Sequence, residues 1–111
     1  MPVFITQGRY TQQAMKGMIS KPEDRAEEVR KLFERAGCRL TGYYMTFGEY
    51  DFITIAEAPD VQSMLSVLMV AGSGGGVTDL KTTLAVTTAE AKQAFGAAGK
   101  TASQFRSAGQ S

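Results

Sequence analysis

The sequence predicts an α+β fold, in which an antiparallel sheet carries both main helices on one face and a short C-terminal helix follows. Three observations predict it. Four segments are rich in β-branched and aromatic residues. Two segments between them repeat apolar residues at helical spacing, and capping or turn residues separate the segments. The resulting order, β-α-β-β-α-β, is that of the ferredoxin-like arrangement.

The first half of the chain supplies a strand and two helical segments. Residues Val3 to Tyr10 form the strand, and Thr11 is placed to cap a short helical turn. In the next segment Ser20 and Glu23 fit the capping-box spacing, and Gly37 fits the position just after a helix. The apolar stripe of that helix comprises Ala26, Val29, Leu32, Phe33 and Ala36.

The second half begins with two strand-like segments, Cys38 to Phe47 and Tyr50 to Ala58. A second helix follows, ended by the glycine-rich run Gly72 to Gly76, and Val77 to Thr87 is the last strand. We expect the residues of this helix that face inward to be Val61, Met64, Leu65 and Leu68.

The C-terminal region divides into a helix and a tail. Thr87 and Glu90 match a capping box that opens a short helix through Phe95. Beyond it the composition becomes Gly, Ala, Ser and Gln. We therefore predict one ferredoxin-like domain at residues 1–96 and a flexible tail at residues 97–111.

The hairpin between the two middle strands predicts self-association. A two-residue loop at Gly48-Glu49, with Gly48 at positive φ as in a type II′ turn, pairs Met45 with Phe52. Large apolar side chains then fall on both faces of the hairpin, although a half-solvated sheet alternates apolar with polar residues. A second copy of the chain would cover the other face. The alternative is that some aromatic residues stay exposed, since they favour strands anyway.

Composition excludes several classes of function. The net charge is +1, and no apolar run approaches the ~20 residues of a membrane span, so we expect neither nucleic acid nor membrane as a partner. The N-terminus lacks a signal-peptide pattern, which indicates a cytoplasmic protein. The chain has no histidine and a single cysteine, Cys38, which argues against imidazole chemistry and metal cages. We expect no metal and no cofactor, and an unreactive Cys38.

The residues around this hairpin resemble the GYD domain family of small bacterial proteins. The match lies in Gly48, Tyr50 and Asp51, with "GYYMTF" before them, "FITIAEAPD" after them and "KTTLAV" in the last strand. The resemblance covers about residues 1–90, although "GSGGG" is richer in glycine than expected for the family. It implies a ferredoxin-like fold related to dimeric α+β barrels, in which two sheets face each other. Related barrels include monooxygenases, haem-degrading enzymes and ligand-sensing domains, so it implies no particular reaction.

Asp51 is the residue with two interpretations. It lies beside the turn among apolar strand residues, so a buried carboxyl there would serve as an acid or base in a pocket. The favoured interpretation is structural, with Asp51 accepting hydrogen bonds from the backbone or the Thr46 hydroxyl. We assign the neighbouring Tyr50 to packing. The residues predicted for the turn and an intersubunit interface are Gly48, Tyr50, Phe52 and Met45.

Further candidates for a ligand pocket are Tyr10, Arg25, Tyr44 and Lys81, together with Asp51. Arg25 lies in the first turn of a helix, where the dipole does not favour a cation, so it is a candidate to pair with Asp51 or an anionic ligand. A solvated Arg25 is the favoured interpretation, because most arginines are exposed, and the alternative for Lys81 is an edge-strand charge that discourages aggregation. The Walker-like run "AFGAAGKT" starts with Ala94 instead of glycine and follows no strand, so we reject it as a nucleotide site.

Three functions fit these observations. The leading hypothesis is a self-associating, non-enzymatic domain that binds a small ligand or a protein partner. The alternatives are a cofactor-independent barrel enzyme, a small oxygenase or isomerase that uses Asp51 with Tyr44 or Arg25, and an assembly subunit recruited through its C-terminal tail. The absence of histidine favours the first and third.

Overall fold

A computed structural model describes residues 1–109 and confirms the α+β prediction. Its sheet is antiparallel, with strand order β2-β3-β1-β4. The elements in chain order are β1 (Val3–Tyr10), α1 (Gln12–Ser20), α2 (Ala26–Arg35), β2 (Arg39–Met45), β3 (Phe52–Glu57), α3 (Val61–Ser73), β4 (Val77–Ala85) and α4 (Thr88–Ala102). Within residues 1–109, none of these helices combines the length and apolar character needed to cross a membrane.

One face of the sheet is covered by α2 and α3. Burial alternates along the two central strands, so that every second residue of β1 and β3 is buried against the helices. The core between the layers comprises Phe4, Phe33, Cys38, Ala56, Ala58, Met64 and Val67. Burial raises the pKa of the Cys38 thiol, which keeps it protonated and agrees with the prediction that it is unreactive.

The segment between β1 and β2 contains two helices, and the predicted capping box is wrong. Thr11 caps α1 as expected, accepting a hydrogen bond from the Ala14 N–H at 3.2 Å. Ser20, however, ends α1 and does not begin α2. The start of α2 is held by Asp24, whose carboxylate accepts from the Ala26 N–H at 2.9 Å. Gly37 ends α2 with a φ of 80°, as predicted.

The buried side of α3 differs from the prediction. Met64 and Val67 are almost fully buried, whereas Val61 and Leu65 are 66% and 46% exposed. Val61 and Leu65 are four residues apart, as are Leu65 and Met69, so the three share one side of the helix. The sheet lies against the Met64 side, which leaves this second apolar stripe outside the core.

The hairpin has the predicted register and a longer loop. Met45 pairs with Phe52 and Tyr43 with Thr54, but the strands end at the Met45–Phe52 pair, and residues 46–51 form the connection. Gly48 has a positive φ of 140°, which lies far from the value of about 60° that a type II′ turn requires. The two-residue turn was therefore wrong, while the need for glycine at this position was right.

The other face of the sheet points away from α2 and α3, the helices that cover the core. Its side chains include Ile5, Ile53 and Ile55 from the central strands and Tyr44 from β2, which is 63% exposed. Gly42 lies beside them, and a Cβ there would be 3.4 Å from the Tyr44 ring. The part of this open face formed by β2 and β3 is apolar, as the hairpin pattern predicted, whereas Gln7 and Lys81 lie on the same face toward β4.

The C-terminal helix extends beyond its predicted end. Helix α4 reaches Ala102, so the first residues of the predicted tail are helical, because the Thr87–Glu90 capping box fixes its start and alanines favour its continuation. None of its residues is buried. The predicted tail at 97–111 includes residues 110–111, which lie outside the described residues.

Candidate functional site

The Gly-Glu-Tyr-Asp loop is bound to the end of β1. The Asp51 carboxylate accepts a hydrogen bond from the Tyr10 N–H at 2.9 Å, and the Asp51 N–H donates to the Gly8 carbonyl at 2.8 Å. Thr46 closes the loop, since its N–H donates to the Asp51 carbonyl at 2.8 Å. These contacts support the structural interpretation of Asp51, in which the donor to its carboxylate is a backbone N–H of β1 and not the Thr46 hydroxyl.

Arg9 makes a second set of contacts to the same loop. Its Nε donates to the Glu49 carbonyl at 2.7 Å, and its guanidinium carbon lies 5.2 Å from the centre of the Tyr50 ring. A further N–H donates to the Asp79 carboxylate at 3.2 Å, which ties the loop to β4. Tyr50 is thus a packing residue beside a cation, in agreement with its predicted role in the turn.

Phe52 lies on the helix-covered face, which corrects its assignment to an intersubunit interface. It is 6% exposed, and its ring packs on Tyr10 with ring centres 5.1 Å apart. The Phe52 ring also packs directly over Gly8, where an added Cβ would lie 2.5 Å from the Phe52 Cζ. Met45 shares this face at the end of the hairpin, beyond the cover of the helices, and is 56% exposed.

A cavity of about 110 Å³ lies between the sheet and the two covering helices. Apolar side chains dominate its wall. The residues that line it include Val29, Leu32 and Phe33 from α2, Val67, Leu68 and Ala71 from α3, and Thr6, Tyr10, Tyr43, Phe52 and Thr54 from the sheet. The register places every second residue of these strands on the covered side, which is why Thr6 and Thr54 face the cavity.

Two tyrosines supply hydroxyl groups to this cavity. The Tyr10 and Tyr43 hydroxyls are 2.9 Å apart, and the Tyr10 hydroxyl also donates to the Met45 sulfur at 3.2 Å. Burial, followed by the hydrogen bond to Tyr43, raises the pKa of the Tyr10 phenol well above its usual value. Tyr10 is therefore a hydrogen-bond donor over the ordinary pH range, and it is poorly suited to act as a base.

Arg25 lies at the opening of the cavity. Its guanidinium pairs with the Glu23 carboxylate at 3.1 Å, and 47% of its side chain is exposed. Two adjoining clefts, of about 260 and 420 Å³, are lined by Arg25 and Tyr10 as well. Arg25 and Tyr10 thus connect the buried apolar cavity with the clefts that lead to the surface.

The structure separates the five predicted ligand residues. Tyr10 and Arg25 both line the cavity. Tyr44 and Lys81 lie on the open face instead, because Tyr44 pairs with Ile53 and Lys81 with Gln7 on the neighbouring strands. Asp51 is absent from the residues that line the cavity, because its carboxylate faces the β1 backbone. The constellation required by the enzyme alternative, Asp51 with Tyr44 or Arg25 in one pocket, is not assembled.

Sequence reasoning missed Tyr43, Arg9 and Gly8. The signal for Tyr43 was present, since the predicted register put it opposite Thr54 and on the other side from Tyr44. Which of the two sides the helices cover was not visible in the pattern. Within residues 1–109, no group of three His, Cys, Asp or Glu side chains is placed to hold a metal ion.

Comparison with known proteins identifies the family. The sequence model of the GYD domain matches residues 4–95. A curated relative from Thermus thermophilus is 32% identical over 78 residues, which is 69% of this chain and 81% of the relative. That relative is named a glutamine synthetase and cystathionine beta-lyase binding protein.

A solved structure shares the fold. The crystal structure of TTHA0845 from Thermus thermophilus has a TM-score of 0.52 and 18% identity, over 78% of this chain and 95% of that chain. A hypothetical protein from Pyrococcus horikoshii, PHS023, has a TM-score of 0.49 and 14% identity, over 78% and 92% of the two chains. At 18% identity, the first of these likenesses extends to the fold alone.

Proposed function

The chain belongs to the GYD domain family, and from that premise we propose that it is a self-associating domain that binds a protein partner. The observation that carries the proposal is the relative named for binding glutamine synthetase and cystathionine beta-lyase, which is 32% identical to this chain. We propose a partner of the same kind, a metabolic enzyme, for this protein. Two exposed apolar surfaces are available for the two contacts.

The open face of the sheet is the surface that we assign to a second copy of the chain. Ile5, Ile53, Ile55 and Tyr44 form an apolar strip there, on the side away from α2 and α3. An exposed apolar face of this kind is rare on monomers, and twofold pairing of the same face is the commonest way to bury one. Two sheets packed face to face would bury it.

The outer stripe of α3 is the surface that we assign to the partner enzyme. Val61, Leu65 and Met69 share one side of the helix and are 66%, 46% and 62% exposed. The opposite side of α3 is already used by the core, through Met64 and Val67. A helix that is apolar on both sides normally has neighbours on both sides.

Self-association is tested with Tyr44→Lys. Tyr44 is largely exposed, so the substitution leaves the monomer core intact while placing a cation within the proposed contact. We expect the natural sequence to sediment as a dimer and Tyr44→Lys as a monomer, with unchanged circular dichroism. Gln62→Lys adds the same charge on α3 and is expected to stay dimeric. A natural chain that is monomeric at micromolar concentration would refute this contact.

Partner binding is tested with glutamine synthetase and cystathionine beta-lyase purified from the organism of this chain. Met69→Lys is expected to weaken binding in surface plasmon resonance by about tenfold or more, since buried apolar contacts in an interface core carry most of the affinity. Gln93→Lys, at an exposed position of α4, serves as the control for added charge away from α3. If neither enzyme binds the natural chain, the proposed class of partner is wrong.

A further inference from the structure

The cavity between the sheet and helices α2 and α3 has the dimensions and the wall of a site for a short hydrocarbon chain. Its volume is about 110 Å³, and its inner wall is formed by α2 and α3 through residues such as Leu32, Val67 and Ala71. An apolar cavity of ~150 Å³ accommodates benzene. By the same proportion this cavity accommodates about four carbon atoms.

The opening of the cavity has the opposite chemistry. Arg25 brings a guanidinium, which is the side chain best matched to a carboxylate, and Tyr10 and Tyr43 bring two hydroxyl groups. These three residues lie where the apolar cavity meets the outer clefts. We propose that this cavity binds a small aliphatic carboxylate, with the tail between the helices and the sheet and the carboxylate at Arg25, Tyr10 and Tyr43.

Arg25 already pairs with Glu23, and a ligand carboxylate could replace Glu23 as its partner. Its partner Glu23 is 52% exposed, and ion pairs of this exposure contribute little to stability. Asp24, the other carboxylate at the opening, is held by the Ala26 N–H at the start of α2. A ligand carboxylate would therefore displace Glu23 into solvent and leave Asp24 in place.

The pair of tyrosine hydroxyls can donate a hydrogen bond to a ligand carboxylate. They lie 2.9 Å apart, so the Tyr43 hydroxyl donates to the Tyr10 oxygen when Tyr10 donates to the Met45 sulfur. A thioether is a weak acceptor, whereas a carboxylate oxygen is a strong one. A ligand carboxylate would accept the Tyr10 hydrogen bond in place of Met45, at the cost of a weak hydrogen bond.

This inference is independent of the proposed protein partner and of self-association. The cavity lies on the helix-covered side of the sheet, whereas the open face and the outer stripe of α3 lie elsewhere. A chain that binds the carboxylate without binding either enzyme would support this inference and refute the other. The two proposals therefore fail separately.

The test uses pentanoate, which joins a carboxylate to a four-carbon tail, and pentanamide, its neutral counterpart. In NMR titrations of the natural chain we expect saturable shifts at the amides of Leu32, Val67 and Ala71 with pentanoate. Pentanamide should bind at least about tenfold more weakly, the size expected for loss of hydrogen bonds to a charged group. Acetate, which lacks the tail, should give no shifts at these amides.

Two variants test the two halves of the site. Arg25→Gln should weaken pentanoate binding about tenfold or more, whereas Arg35→Gln, an exposed arginine at the other end of α2, should not change it. Ala71→Leu fills the tail cavity and should abolish binding while leaving Arg25 in place. Absence of saturable shifts at the three cavity amides, or equal binding of pentanoate by Arg25→Gln, would overturn the proposal.

Discussion

The close approach between Gly8 and Phe52 predicts that Gly8→Ala destabilises the protein. A Cβ at position 8 would lie 2.5 Å from the Phe52 Cζ and 2.8 Å from the Leu80 Cδ2. The Phe52 ring has little room to move, since it is 6% exposed and packs on the rings of Tyr10 and Tyr43. The added methyl group therefore overpacks the layer between the sheet and the helices.

The magnitude follows from two opposing terms. Overpacking a buried site costs about 1–3 kcal/mol, and the reduced freedom of alanine in the unfolded chain offsets about 0.4–1 kcal/mol. We expect a net loss of about 1–2 kcal/mol in the free energy of unfolding, or roughly 4–16 °C in Tm. Urea unfolding followed by circular dichroism measures it directly.

A matched glycine and a double mutant make this prediction specific. Gly72 lies in α3 with no atom within 4 Å of an added Cβ, so Gly72→Ala should leave the protein as stable or stabilise it. Phe52→Leu removes the ring atoms nearest to Gly8, so Gly8→Ala should cost less in that background. A neutral Gly8→Ala, or strict additivity with Phe52→Leu, would refute the overpacking argument.

Three further predictions concern the neighbouring contacts. Asp51→Ala should lower the free energy of unfolding, measured by urea unfolding, by about 1–3 kcal/mol, because it leaves the Tyr10 N–H without its acceptor. Asp51→Asn keeps an acceptor oxygen and should restore most of this stability, so equal losses in the two variants would contradict the acceptor role. Because the pKa of Tyr10 is higher in the folded chain than its unfolded value of about 10, the unfolded state loses this proton first, and stability should fall as pH rises above about 10. Tyr10→Phe should reduce that fall in urea titrations at successive pH values, whereas a Tyr44→Phe control should not, and an unchanged slope in Tyr10→Phe would show that burial of Tyr10 is not responsible. Thr87→Ala removes the cap of α4 and should speed amide hydrogen exchange in that helix about fivefold, which corresponds to about 1 kcal/mol, with little change in Tm. Thr88→Ala serves as the control, and unaltered exchange in Thr87→Ala would mean that other contacts hold α4.

Much of the architecture could be predicted because its signals are local. Thr11 and Gly37 fixed the ends of helices through backbone conformations and hydrogen bonds within a few residues. The hairpin register followed from alternation around one loop, which is why the pair Met45 and Phe52 was right even though the turn type was wrong. Ser20 shows the limit of such signals, since the Ser20–Glu23 spacing fits a capping box but Ser20 is the last residue of α1.

The candidate site was half predictable for a physical reason. Tyr10 and Arg25 are brought together at the cavity as expected, but Tyr43 takes the place that was assigned to Tyr44. Period-two alternation says that the two tyrosines face opposite sides, and it carries no information about which side the helices cover. That choice depends on contacts between residues distant in sequence, such as Tyr43 with Tyr10.

The sequence by itself determined the order of the elements, the pairing of the hairpin and the apolar character of both faces of that hairpin. The tertiary structure decided what each of those residues contacts. Asp51 gives the clearest example: its position beside the turn was evident, but its hydrogen bond joins it to Tyr10, 41 positions earlier in the chain. Local rules govern turns and caps, whereas the partner of a side chain is set by packing across the whole sheet, and that packing placed Asp51 on the backbone and Arg25 at the cavity.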